Sequence, residues 1–312
     1  MYTDKILVIG ANGQIGTALL PVLQKAFGLN NVIGADLYAP VSPCGIFEKF
    51  DATNAVDLAN ICKKHGITQI YQLAAILSAK GEADPVWAWN LNMQTLLNVF
   101  EVARSGGIKK VFVPSSIAVF GADAQKEQTP QNTYLNPSTI YGVSKVAAEN
   151  WSSYYHKRYG IDIRSLRYPG VISYQSMPGG GTTDYAVDIF HKAIAQQNYV
   201  CYLNENTRLP MIYIDDALQA TLNLMEADEA QIKIRSSYNL SGLSFTPADL
   251  FKEIKMHYPD FKCGFSPDFR QNIADSWPAS IDDSEAVKDW GWKPEFDLAK
   301  MTSAMVLNLC RS

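Results

Sequence analysis

Tyr141 and Lys145 stand four residues apart in a stretch, 141–159, whose pattern reads as a helix. That spacing puts both side chains on one helical face. A phenol with its ordinary pKa of ~10 is a poor base at neutral pH, and a neighbouring ammonium favours the phenolate. Such a tyrosine takes the proton of an alcohol. The spacing alone proves little, because with 16 tyrosines in 312 residues it recurs at Tyr258/Lys262. There Pro259 follows the tyrosine, so the two side chains need not share a face. The first pair has more around it. An apolar run at 110–114 leads into Ser115 and Ser116, whose hydroxyls would stand at the carboxyl edge of a sheet. Ser116 would then polarise the oxygen that Tyr141 deprotonates. The set Ser116, Tyr141 and Lys145 is the candidate catalytic constellation; the plain alternative is three residues with structural roles.

A second cluster lies at the start of the chain. The run 5–9 is followed by Gly10-Ala-Asn-Gly13-Gln-Ile-Gly16, which opens a helical pattern at 14–25. Glycines let the backbone turn sharply and let a pyrophosphate approach, and the next helix aims its free N–H groups at the phosphates. Gly10, Asn12, Gly13, Gln14, Ile15 and Gly16 are therefore candidate dinucleotide contacts, although a tight strand-to-helix turn would read the same. Asp36 follows Gly16 at the end of the run 32–35. A carboxylate there accepts both ribose hydroxyls and repels a 2′-phosphate, and Leu37-Tyr-Ala-Pro brings no arginine, so NAD is favoured over NADP. Asp51 and Ala52, after the run 46–50, are placed for the adenine edge or for a simple turn. The positive ring of an oxidised nicotinamide would add to the pull on the Tyr141 proton.

These residues need a frame, and the pattern supplies one. Apolar runs at 5–9, 32–35, 46–50, 69–73, 110–114 and 162–166 alternate with helical patterns at 14–25, 55–64, 85–105 and 141–159. Strands separated by helices make right-handed crossovers and a parallel sheet, so a doubly wound α/β fold is expected. After Arg167 the regularity fades into Pro- and Gly-rich turns and helical patterns at 184–196, 215–226, 248–257 and 299–309. Residues 1–170 read as the nucleotide-binding domain, with elements shared to about 240, and 171–312 as a smaller α+β part that caps the strand ends and holds substrate.

Composition narrows the classes. Apolar residues are 47% and charged residues 19%, so a sizeable core is expected; the net charge of −4 with scattered basic residues gives no nucleic-acid footprint. No stretch approaches ~20 unbroken apolar residues, so no membrane partner is expected. The chain enters an apolar run directly, without a signal or transit pattern, and reads as cytoplasmic, or as a mitochondrial matrix protein if a leader has been removed. Cys44, Cys62, Cys201, Cys263 and Cys310 share no short motif and the four histidines are isolated, so metal-free chemistry and a reducing compartment are expected.

Taken together the motifs resemble the extended short-chain dehydrogenase/reductase family. They are the glycine turn, Asp36, Leu73-Ala74-Ala75, Asn90, the segment from Ser115 to Gly121, Tyr141-Gly-Val-Ser-Lys145, Arg167-Tyr168-Pro-Gly170 and the closing segment from Asp283 to Pro294. The resemblance spans essentially the whole chain. It implies a Rossmann domain carrying NAD, with Ser116 as hydroxyl donor, Tyr141 as base and Lys145 on the nicotinamide ribose. It also implies that Leu37, Leu73, Ala74, Ala75, Asn90, Ser115, Tyr168, Gly170 and Val171 belong to the cofactor site. Members commonly pair through the helices that are 85–105 and 141–159 here, so a homodimer is expected.

Two substrate classes compete. Nucleotide-sugar epimerases need basic residues for a pyrophosphate, and of the chain's eight arginines those between Val171 and Asp283 are only Arg208, Arg235 and Arg270. Two segments, Pro178 to Phe190 and Ala274 to Pro278, resemble instead the short-chain type of L-threonine 3-dehydrogenases. A triple-glycine loop ending in Thr182-Thr183-Asp184 offers free N–H groups and hydroxyls as a cradle for a carboxylate. Gly180, Thr182 and Thr183 are the expected substrate contacts, with Ser78 at the substrate's polar end and Trp277 closing over it. The resulting expectation is oxidation of L-threonine at C3 by NAD. The alternatives are an NAD-retaining nucleotide-sugar 4-epimerase and a non-catalytic NAD-binding protein of the same fold.

Overall fold

The computed structural model describes residues 4–40, 44–76, 78–175, 177 and 179–311. Strand β1 (Ile6–Ile9) is buried at every position, as a strand covered on both faces must be. Helix α1 (Gln14–Phe27) returns the chain to β2 (Val32–Asp36). Then come β3 (Ile46–Lys49), α2 (Ala55–His65), β4 (Gln69–Gln72), the short α3 (Ser78–Ala83) and the long α4 (Pro85–Gly106). Next are β5 (Lys110–Phe112), β6 (Ser115–Ser116), α5 (Ile140–Tyr159) and β7 (Asp162–Arg164). Six strands form one sheet in the order β3-β2-β1-β4-β5-β7, every pair parallel. This is the expected doubly wound α/β fold. The order reverses between β1 and β4, and a crevice opens at their carboxyl ends.

Each face of the sheet has its own core. On one side Leu58, Leu96, Val99, Phe100 and Tyr155, from α2, α4 and α5, cover Leu7, Ile33 and Val111. On the other, Leu19 and Leu23 of α1 pack with residues of the second half of the chain. That half comprises β8 (Leu166–Tyr168), β9 (Gly170–Ile172), α6 (Tyr185–Ile194), β10 (Tyr199–Cys201), β11 (Leu209–Tyr213), α7 (Ile214–Glu226) and β12 (Tyr238–Asn239). It ends with β13 (Leu243–Phe245), α8 (Pro247–His257), β14 (Cys263–Phe265), α9 (Arg270–Ser276), α10 (Ser284–Trp290) and α11 (Leu298–Leu309). Its strands make three small sheets, β13-β11-β9, β12-β8-β6 and β10-β14. Among the described residues no helix is long and apolar enough to cross a membrane.

The strand expected over 110–114 ends sooner, and the reason is chemical. Pro114 has no N–H to give a ladder, so β5 stops at Phe112. Ser115 and Ser116 then leave the central sheet and pair with Arg167 and Tyr168 of β8. The run 162–166 divides at the same level, into β7 on the main sheet and β8 on the small one. The two serines are thereby turned away from the main sheet and toward α5. Helices α3, α9 and α10 were not expected; with six or seven residues each they show no readable period.

Helix α5 begins where Thr139 accepts a hydrogen bond from the Gly142 N–H at 3.1 Å. Its first turn lies directly on the segment after Ser116. A methyl group at position 142 would stand 2.2 Å from the Ala118 carbonyl oxygen and 2.5 Å from the Pro137 Cβ. Only glycine lets the helix come this close. Gly142→Ala should lift the start of α5, lower the melting temperature by several degrees and cut kcat by at least tenfold; thermal melts and turnover assays check both.

Candidate active site

Three consecutive residues at the end of β5 and in β6 meet three successive turns of α5. The Lys145 ammonium donates to the Pro114 carbonyl oxygen at 2.6 Å. The Ser115 hydroxyl donates to Glu149 Oε1 at 2.6 Å. The Ser116 hydroxyl is hydrogen-bonded to the Tyr141 phenol. Residues 141, 145 and 149 follow at intervals of four and so share a helical face. Ser116 also accepts from the Ala118 N–H at 3.2 Å, which fixes its rotamer. The Lys145 Nζ lies 5.5 Å from the centre of the Tyr141 ring.

Burial dominates the ionisation of this pair. Removal from water pushes the Tyr141 phenol up to about 12, and the bond from Ser116 acts the other way. Removal from water brings Lys145 down to about 8, while the negative charge of Glu149 opposes the fall. A phenol held at that value is a poor base on its own. Ser116, the ammonium and a cationic ring in the cleft all favour its ionised form.

A cleft opens over these groups. Gln14, Ile15, Leu73, Ala75, Ser115, Tyr168, Gly170 and Val171 line it together with Ser116, Tyr141 and Lys145. Gln14 is tied across it, its side-chain amide donating to the Val171 carbonyl at 3.1 Å. The turn before α1 fits a pyrophosphate. No side chain caps α1, and a methyl group on Gly16 would stand 2.2 Å from the Gly10 carbonyl oxygen, so turn and helix close on each other only with glycine there. At the far end Asp36 is partly exposed. It accepts the backbone N–H groups of Asn12 at 3.0 Å and Leu37 at 2.8 Å, which holds it at the strand end beside the glycine turn. These residues fit an adenosine ribose.

Three of the expected cofactor residues sit differently. Asp51 lies after β3 and spends its carboxylate on its own turn, accepting from the Thr53 N–H and hydroxyl at 2.8 Å each. Ala52 is buried, its carbonyl accepting from Asn98 at 2.9 Å. Asn90 is exposed on α4 and lines a separate surface groove with Asp51 and Trp87. Its neighbour Asn92 faces inward instead: it clamps Ile76, accepting from its N–H at 2.8 Å and donating to its carbonyl at 3.2 Å. Two residues along a helix turn the side chain by about 200°, so the inward amide is Asn92 and not Asn90.

The opposite wall is formed by Gly181, Thr182, Thr183, Asp184 and Trp277. Here the expected carboxylate cradle needs correction. The N–H groups of Gly180 and Gly181 both donate to Asp184 Oδ2, at 2.8 and 2.7 Å, so the chain's own carboxylate already fills the nest. Gly180 itself is exposed and lies outside the cleft lining. Among the described residues the Thr182 hydroxyl, which is buried, has no hydrogen-bond partner. Gly181 is braced from behind, its carbonyl accepting from the Tyr202 hydroxyl, with Arg270 stacked 3.1 Å over the Tyr202 ring. Trp277 is held by Lys126, whose ammonium donates to the Asp275 and Trp277 carbonyls at 2.7 and 3.1 Å. Ser78 begins α3, and its side chain lies outside the described residues. Glu149, Asn92, Asp184 and Lys126 carry no motif of their own; only Glu149, four residues beyond Lys145, could have been found by helical spacing.

If Asp36 holds the adenosine ribose, Asp36→Ala should weaken NAD binding about 10- to 100-fold, measured by calorimetry, with the fold intact. Unchanged binding would remove Asp36 from the site.

Comparison with known proteins agrees with this arrangement. Residues 6–242 match the NAD dependent epimerase/dehydratase family. A mitochondrial L-threonine 3-dehydrogenase of Bos taurus is 46% identical over 307 residues, covering 97% of this chain and 82% of that protein. The holo form of an L-threonine dehydrogenase from Cupriavidus necator is 50% identical, with a TM-score of 0.97 over 98% of this chain and 100% of that one. A metagenome-derived monomeric L-threonine 3-dehydrogenase, in apo form, is 49% identical with a TM-score of 0.96, over 98% and 99% of the two chains. The chain belongs to the NAD dependent epimerase/dehydratase family, and its cofactor is NAD.

Proposed function

We propose that this chain oxidises L-threonine at C3, giving 2-amino-3-ketobutyrate and NADH. The observation that carries the reading is the meeting of Ser116, Tyr141 and Lys145 beneath a small wall of Thr182, Thr183, Asp184 and Trp277. Among the described residues that line the cleft, Lys145 is the one basic residue. Arg208, Arg235 and Arg270 are engaged elsewhere, paired with Asp249, Asp162 and Asp268. A nucleotide sugar would find no partner for its pyrophosphate there. An amino acid suits the wall better: Asp184 is an acidic group for an ammonium, and the threonine hydroxyls can meet a carboxylate. The relatives named above, threonine dehydrogenases at 46–50% identity, support the same reading.

NAD, when bound, supplies the hydride acceptor. The chain's own residues do the rest. Ser116 donates a hydrogen bond to the substrate hydroxyl oxygen, and Tyr141 takes its proton. Loss of that proton from the oxygen, and of hydride from the carbon that bears it, turns the alcohol into a ketone. The Lys145 ammonium stabilises the phenolate and, turned toward the ribose, orients the coenzyme. Trp277, buried at the cleft mouth, excludes water from the reacting centre.

Exposed apolar side chains gather on α4 and α5: Val86, Trp87, Val143, Trp151, Tyr154 and Tyr159. This face is assigned to a second copy of the chain. Five unpaired cysteines suit a reducing compartment, the cytoplasm or a mitochondrial matrix.

Free NADH should accumulate, read at 340 nm, on adding L-threonine and NAD, and not on adding UDP-galactose. Conversion of UDP-galactose to its 4-epimer without NADH release, and no NADH from threonine, selects the epimerase, and no turnover of either substrate selects a non-catalytic binder. Tyr141→Phe should lower kcat by about 10²–10⁴-fold with NAD affinity kept; equal turnover would overturn the mechanism. Light scattering should give twice the 34.6 kDa chain mass, and the pair Trp151→Glu, Tyr154→Glu should return it to one. A wild-type mass of one chain would overturn the pairing.

A further inference from the structure

Glu149 has no place in the reaction as described, yet it is 3% exposed and carries a charge. Its two oxygens are fully used. Oε1 accepts from the Ser115 hydroxyl at 2.6 Å and from Arg167 Nε at 2.9 Å, and Oε2 accepts from Arg167 Nη2 at 2.8 Å. Arg167, on β8, is itself locked, donating to the Gln131 carbonyl and to Asn239 Oδ1 at 3.0 Å each and lying 5.4 Å over the Phe120 ring. A buried ion pair is weak evidence for stability, since apolar residues of similar size often do as well. Its position is more informative. Glu149 lies one turn beyond Lys145 and holds the serine between the lysine's anchor, Pro114, and the tyrosine's partner, Ser116.

We propose that Glu149 is a positioning residue of the reaction, fixing the strand end 114–116 against α5 and setting a negative charge one helical turn from the Lys145 ammonium. The inference rests on the reading of Tyr141 as base. The other charged groups that reach α5 are remote from Lys145 or already paired. Glu82 from α3 accepts the Ile140 N–H, and Glu101 from α4 accepts the Tyr155 hydroxyl. Asp162 and Arg164 of β7 bond each other. Glu149 is the charged residue that acts on Lys145, and it acts against the burial that strips the ammonium of its proton.

The sign of its removal follows. Glu149→Gln takes away the negative charge and leaves Arg167 unopposed. Proton loss from the Lys145 ammonium becomes easier. Its ionisation therefore moves to lower pH, and the phenol loses its positive neighbour sooner. A double variant, Glu149→Gln with Arg167→Gln, removes both charges and should keep the midpoint below the wild-type value. It also leaves no lone buried charge, so it is the better folder of the two.

The test reads the Lys145 side-chain ionisation by NMR against pH in NAD-loaded, lysine-labelled protein, with the signal assigned by Lys145→Met, so it needs no substrate. The expected result is a midpoint lowered by about one pH unit in Glu149→Gln and still below the wild-type value in the double variant. A midpoint unmoved in folded Glu149→Gln, or a wild-type midpoint in the double variant, would overturn the proposal. Ser115→Ala keeps both charges and decides the matter if Glu149→Gln does not fold. Its kcat should fall about three- to tenfold at an unchanged midpoint, and an unchanged kcat would overturn the positioning role. If wild-type protein makes no NADH from threonine, the substrate reading fails while this titration still stands or falls by itself.

Discussion

One contact orders this molecule: the docking of residues 114–116 on the face of α5 that carries 141, 145 and 149. A proline ends β5, and the chain turns its next two serines out of the main sheet and onto the helix. Each of the three strand-end residues then holds one helical side chain. The result is a dry, rigid pair of proton-binding groups at the crevice where the strand order reverses. Burial alone would make the phenol too weak an acid and the ammonium too strong a one. The hydroxyl of Ser116 and the charge of Glu149 oppose those shifts, and a cationic coenzyme ring bound in the cleft would act in the same direction on the phenol.

The rest of the fold serves that contact from a distance. Two separate cores grip the sheet, so β1, β4 and β5 present their ends at one level. The glycine turn packs α1 against β1 with its N-terminus bare, and Asp36 sits at the end of the next strand, where the proposed function has it meet the ribose. The irregular second half contributes the other wall. There the chain resolves a conflict of its own making: a glycine loop with free N–H groups attracts any anion, and Asp184 satisfies it from within. In the proposed reaction, recognition of the substrate then passes to the Thr182 and Thr183 hydroxyls and to the acidic wall.

How much of this was readable from sequence follows from the range of each interaction. The parallel sheet and the long helices were legible, because burial on both faces or on one stripe leaves a period in the residues. The pair Tyr141/Lys145 and the glycine turn were legible, because their chemistry sits within a few positions. Asn92 was missed in favour of Asn90, since the sequence shows two amides and only the helix phase tells which points inward. The self-capping of the glycine loop was also misread: Asp184 was seen as a helix start, and nothing in its spacing says that its side chain folds back. The Lys126 hold on Trp277 and the Arg167 hold on Glu149 join segments far apart in the chain. No local pattern records such pairs. The short α3, α9 and α10 were unreadable for a related reason, since six or seven residues do not establish a period.

The most direct measurement is a crystal structure with NAD and L-threonine both bound. The account predicts the substrate hydroxyl oxygen within hydrogen-bond distance of both the Ser116 and Tyr141 hydroxyls, with the Lys145 ammonium on the coenzyme ribose and the threonine carboxylate on the Thr182–Thr183 wall. A substrate bound with its hydroxyl away from Tyr141, or a lysine that stays on Pro114 and never meets the coenzyme, would contradict it.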